Sequence, residues 1–120
     1  MSEEINYTSK FTRQDALDDG VLVDVSKMGK EAGFKFPIAI TEALNNLVDY
    51  NKNGQSFDGR MWDIFTMLKY GIKQAKQKDR VYFTVLMVGG SRKKKHALKA
   101  LIHGGDNREP VITIMFEDED

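Results

Sequence analysis

The chain has 120 residues, 18 Lys+Arg against 18 Asp+Glu, and no cysteine. That length suits one domain, an apolar content of 41% argues against wholesale disorder, and the lack of cysteine excludes disulfides, thiolate nucleophiles and Cys-ligated metals. No run approaches the ~18 uncharged apolar residues of a membrane span, and the N-terminus has no basic-then-apolar leader, so the expectation is a soluble, cytoplasmic protein.

The neutral total conceals segregation. Residues 1–60 carry 7 basic and 10 acidic residues, residues 61–108 carry 11 and 3, and residues 109–120 carry five acidic and no basic ones. A basic body with an acidic tip bears on partners and surface fields more than on fold.

Along the chain, Thr12 with Asp15 three residues later matches a capping box opening a helix over Arg13 to Asp18, which Asp19-Gly20 ends. Val21 to Val25 is β-branched and reads as a strand with Leu22 and Asp24 on one face and the three valines on the other. Ser26 caps a second short helix, Lys27 to Ala32, and Gly33 suits its left-handed end. Phe34 to Ile40 is apolar enough for a strand, but Pro37 lacks a donor N–H and confines it to an edge, a bulge or an extended connection. Thr41 caps a helix over Glu42 to Tyr50.

Asp58 then caps the longest helix, Gly59 to about Gln77, with an apolar stripe of Met61, Ile64, Phe65, Leu68, Ile72 and Ala75. Three strands follow, Val81 to Val88, Ala97 to Ile102 and Val111 to Phe116, joined by glycine-rich reversals that favour an antiparallel meander. Both faces of the first are apolar, which predicts a central strand, or one whose second face is covered by another element or a second subunit.

The chemistry-bearing residues are few. His96 and His103 fall at the two ends of one strand, an odd separation that points them to opposite faces. Asp49, Asn51, Asn53, Gly54 and Gln55 follow the oxygen-ligand order of an EF-hand loop, but Arg60 stands where calcium needs a bidentate Glu, so turn chemistry explains them better. Asp24, Arg60 and Asp63 form a carboxylate and guanidinium set only if strand and long helix converge; Asp58 reads as a cap and Arg60 with Asp63 as a pair in the first turn.

Charge is the stronger feature. Arg92, Lys93, Lys94 and Lys95 place four consecutive cations at a predicted hairpin tip, and Trp62, Thr66, Lys69, Lys73 and Lys76 line one face of the long helix away from the core stripe. Such surfaces meet phosphates or an acidic protein, while the blander role is a solvated face that discourages edge-to-edge aggregation. The acidic end, Glu117 to Asp120, reads as a frayed solubilising tail or as a mimic of nucleic-acid charge that folds onto the Lys93 cluster.

The runs from Asp15 to Ser26, Glu31 to Thr41, Gly59 to Asp63 and Glu109 to Phe116 resemble a family of short uncharacterised bacterial proteins also met on plasmids and phages. That resemblance brings no activity or site residue. A mobile-element setting, by analogy, implies a small protein that modulates a host or defence system.

The expectation is thus one α+β domain over residues 1–120, with flexible ends near 1–10 and 117–120 and a long amphipathic helix on a C-terminal three-stranded meander. It acts as an interaction or regulatory module with a protein partner, no cofactor, no metal and no membrane, and self-association through an apolar sheet face fits the pattern. The rival readings are a sequence-nonspecific nucleic-acid binder using the helix face and hairpin tip, and a small enzyme on Asp24, Arg60 and Asp63.

Overall fold

The computed structural model of the chain describes residues 11–49, 56–89 and 92–119. Among the described residues four helices and five strands follow in the order α1 (Arg13–Asp18), β1 (Leu22–Asp24), α2 (Ser26–Glu31), β2 (Ile38–Thr41), α3 (Glu42–Val48), α4 (Phe57–Gln74), β3 (Arg80–Gly89), β4 (Arg92–Gly104) and β5 (Pro110–Phe116).

The strands make one sheet in the order β1-β2-β5-β4-β3. β3, β4 and β5 form the antiparallel meander the sequence predicts. β2 then joins β5 in parallel, Ile38 opposite Ile112 and Ile40 opposite Ile114, with β1 antiparallel outside it. The α+β class and the long helix on the meander stand as expected.

One sheet face holds the core. Ile38, Ile40, Val81, Phe83, Val85, Leu98, Ala100, Ile112 and Ile114 meet Leu44 and Val48 of α3 and Met61, Ile64, Phe65 and Leu68 of α4. α4 lies over β3, and its Gly71 comes so close that an added Cβ would stand 2.8 Å from Val81 Cγ1. The opposite, outer face carries Leu22, Asp24, Thr41, Thr113, Leu101, Lys99 and Tyr82 by strand alternation, and α1 packs only over its β1 end.

Local signals placed several boundaries well. The Thr12–Asp15 capping box is present in both directions, with Asp15 N donating to Thr12 Oγ1 at 3.0 Å and Thr12 N to the Asp15 carboxylate at 3.1 Å. Thr41 caps α3 through Leu44 N, and Gly20 and Gly33 both sit at positive φ.

Four expectations need correction. Ser26 is the first residue of α2, not its cap; its hydroxyl is drawn away to the Asp24 carboxylate and the Ile38 backbone. Ser56, not Asp58, caps α4, accepting from Gly59 N at 3.0 Å, so the helix begins two residues earlier and ends at Gln74, leaving Ile72 41% exposed. Pro37 precedes a central strand; β2 starts one residue later, so no ladder donor is lost, and the Pro37 carbonyl still accepts from Ile112 N. Finally β3 is an edge strand, with Tyr82 and Leu86 52% and 54% exposed beside buried Val81, Phe83, Val85 and Met87.

Candidate binding surface on the outer face of the sheet

At the β1 end of the outer face, α1 is pinned by side chains from the other end of the chain. The Asp106 carboxylate, in the turn between β4 and β5, accepts from Arg13 N at 2.8 Å and Gln14 N at 3.1 Å. This places an anion on the first-turn N–H groups of a short helix. The Arg13 guanidinium crosses to β5, donating to Thr113 Oγ1 at 2.8 Å and to the Ile112 carbonyl at 3.0 Å. Burial lowers the Arg13 pKa, and the charges of Asp106, Asp24 and Glu109 oppose that shift.

Thr113 in turn meets His103 Nε2 at 2.9 Å, while His103 Nδ1 stands 3.1 Å from the Gly104 carbonyl. A carbonyl only accepts, so Nδ1–H donates to Gly104, and Thr113 Oγ1 accepts from Arg13 while meeting Nε2. These residues floor a groove of about 710 Å³ that also includes Phe11, Leu22, Leu101 and Met115. Each polar group of the relay is spent on another, so the arrangement fastens α1 to the sheet.

Across the groove the C-terminal turn is tied down as well. The Glu119 carboxylate accepts from the Thr41 hydroxyl at 2.9 Å and from Phe116 N at 2.8 Å, and Lys99 Nζ donates to the Glu119 carbonyl. The acidic end therefore meets Lys99 of β4, with its carboxylate turned to Thr41.

The β3–β4 half of the outer face is open. Tyr82 stands opposite Lys99, Thr84 opposite Ala97, and Leu86 opposite Lys95, all exposed or half-buried. Arg80, fully exposed, leans on the Tyr82 hydroxyl, whose hydrogen bond raises the guanidinium pKa with a smaller contribution from Asp79. From Arg80 to Gly104 the chain contains six cations and no carboxylate.

The cations expected at a hairpin tip lie instead within β4, which starts at Arg92. Alternation sends Lys93 and Lys95 to the outer face and Lys94 to the α4 side, where Met87 is its partner in register. The helix cations are dispersed too. Lys69 Nζ sits 5.7 Å from the Phe34 ring centre in a cation–π contact, Lys73 lines a hollow with Thr66 and Tyr70, and Lys76 lies past the helix end in a hollow with Arg80 and Tyr82. Trp62 turns its ring edge-on to Phe65 at 6.4 Å and stays 40% exposed. Helix face and hairpin adjoin where Thr66 and Lys93 line one hollow, while Lys69, Lys73 and Lys76 each have separate surroundings.

The carboxylate and guanidinium set is also separated. Asp24 lies on the outer face bound to Ser26, Asp63 lines a hollow with Met67 and Lys93, and Arg60 is buried with Nη1 donating to the Leu47 carbonyl at the end of α3. Of the EF-hand-like residues, Asp49 closes α3 through its backbone, whereas Asn51, Asn53 and Gln55 lie outside the described residues. Among the described residues no three His, Asp or Glu side chains gather closely enough to hold a metal ion.

Sequence reasoning missed Arg13, His103 and Thr113 as partners, and Tyr82, Arg80 and Lys99 as neighbours. The one usable signal was the complete absence of acid between Arg80 and Gly104. The histidines do point to opposite faces: His96 packs at 6.2 Å from the Phe116 ring, and His103 sits on the outer face.

The fold and its open outer face define a small α+β domain with a mixed five-stranded sheet. The model of a family of unknown function (DUF6573) matches residues 2–120, and the chain belongs to that family. No curated protein and no solved structure matches it. No helix among the described residues is long and apolar enough to cross a membrane.

Proposed function

We propose that this protein is a binding and regulatory module whose partner meets the outer face of the β3–β4 hairpin, in keeping with a mobile-element protein that modulates a host or defence system. The observation that carries this reading is the exposure of Tyr82 and Leu86 on a regular strand beside buried Val81, Phe83, Val85 and Met87. An edge strand in water gains nothing from presenting two large apolar side chains, and exposed apolar surface ringed by charge marks interaction sites. The polar groups of the neighbouring groove are consumed in holding α1, which supports binding over catalysis.

Site-specific photo-crosslinking in the native host tests it. A benzophenone side chain at position 82 is expected to capture a macromolecular adduct, while the same group at position 70, equally exposed on α4, captures none. Equal labelling at both positions, or none at 82, refutes the reading.

A further inference from the structure

We infer that the outer face of the β3–β4 hairpin takes a single-stranded nucleic acid, with Tyr82 as a stacking platform and Arg80, Lys95 and Lys99 as phosphate contacts. This rests on the reading above and names the partner.

Charge is the first argument. The hairpin offers only cations, and register sets Lys99 directly beside Tyr82 and Lys95 directly beside Leu86. Each apolar platform therefore has a cation one strand away, about 5 Å across the ladder. The bond from Lys99 to Glu119 goes to a neutral carbonyl, and the Glu119 carboxylate is already engaged by Thr41 and Phe116 N, so Lys99 keeps its charge. An acidic protein would satisfy the cations equally well, but it has less use for an exposed phenol ring flanked by Arg80 and Lys99.

Shape is the second. Tyr82 and Leu86 lie four residues apart on one face, about 13 Å along the strand, with Thr84 between them. Open bases can lie on Tyr82 and Leu86 along such a row while the backbone follows Lys95, Lys99 and Arg80. In a duplex the base faces are already stacked, so Tyr82 has nothing to receive. The platform has one aromatic residue and no side chains aimed to read base edges, which predicts sequence tolerance.

The test is fluorescence anisotropy of the whole chain with labelled oligo(dT), oligo(U) and a duplex, each about 12 nucleotides long. Single strands bind more tightly than the duplex, and comparison of oligo(dT) with oligo(U) assigns DNA or RNA. With three phosphate contacts, affinity falls about 20-fold between about 50 and 200 mM salt. Tyr82→Ala loses about tenfold in affinity with the salt slope unchanged, Tyr82→Phe retains binding, and Lys95→Gln with Lys99→Gln flattens the slope by about 1.4. Tyr82, Lys95 and Lys99 are all at least partly exposed, and melting curves of the variants check that each keeps the fold. Absence of saturable binding at low salt overturns the inference, as does duplex binding that ignores Tyr82→Ala. If position 82 crosslinks protein while the oligonucleotides fail to bind, the inference falls and the binding-face reading survives.

Discussion

Arg13 and Thr113, one hundred residues apart in the chain, meet at 2.8 Å and join the first described helix to the strand before the C-terminus. The same guanidinium holds the Ile112 carbonyl, so one side chain from α1 satisfies both a side-chain and a backbone acceptor of β5.

Removing it has a defined cost. Arg13→Ala leaves the buried Thr113 and Ile112 acceptors without their charged donor and is expected to destabilise the fold by about 2 kcal/mol in urea melts. Arg13→Lys, which keeps the charge but not the planar fork, recovers only part of that. An unchanged midpoint for Arg13→Ala would show that the contact contributes nothing net.

Arg60 is the most demanding buried residue, at 1% exposure with its guanidinium on the Leu47 carbonyl. Arg60→Ala strands that acceptor and opens a cavity beneath α4, for an expected loss of about 3 kcal/mol. Arg60→Met, which refills the space, should lose less. The ranking of the two midpoints is the measurement.

His96 makes stability depend on pH. Burial first, then the charges of Lys94 and Arg60, lower its pKa in the folded state below the ordinary 6.5. Between the two values the unfolded chain binds more protons, so stability rises with pH through the window just below 6.5 and this contribution is lost as pH falls through it. His96→Gln is expected to flatten the curve in that window while leaving the region above pH ~7 alone, as read from denaturant melts across pH. A parallel decline in both proteins would assign the effect to other groups.

Gly71 tests the α4–β3 contact. An added Cβ gains helix propensity worth about 1 kcal/mol, but at 2.8 Å from Val81 Cγ1 and 3.4 Å from Phe83 Cβ it must lift the helix from the strand. Overpacking of this sort outweighs the gain, and Gly71→Ala is expected to lower stability by about 1 kcal/mol net. A rise in the melting temperature would mean that the helix yields freely.

Much of the fold was readable because its signals are local. Thr12 and Asp15 are three residues apart, and their reciprocal bonds need no other part of the molecule. The stripe of Met61, Ile64, Phe65 and Leu68 reports a buried helix face for the same reason, since period and burial are set within one element. Ser56 and Asp58 are both competent caps, and the choice between them belongs to how Phe57 packs on the core, which no window around the loop contains.

Strand order is a different kind of fact. Alternation in Val81 to Val88 showed two apolar faces, yet whether a second layer covers Tyr82 and Leu86 depends on where α1 docks, and α1 docks over β1 because Asp106 and Thr113 hold Arg13 there. The sequence by itself determined one α+β domain, its capped helices, its meander and a hairpin free of acid. Only the tertiary structure decided that β2 enters the sheet beside β5, that Lys93 and Lys95 part from Lys94, and that Tyr82 faces solvent among cations. Those outcomes follow from contacts between segments many residues apart, whose geometry is set by packing and not by any local pattern.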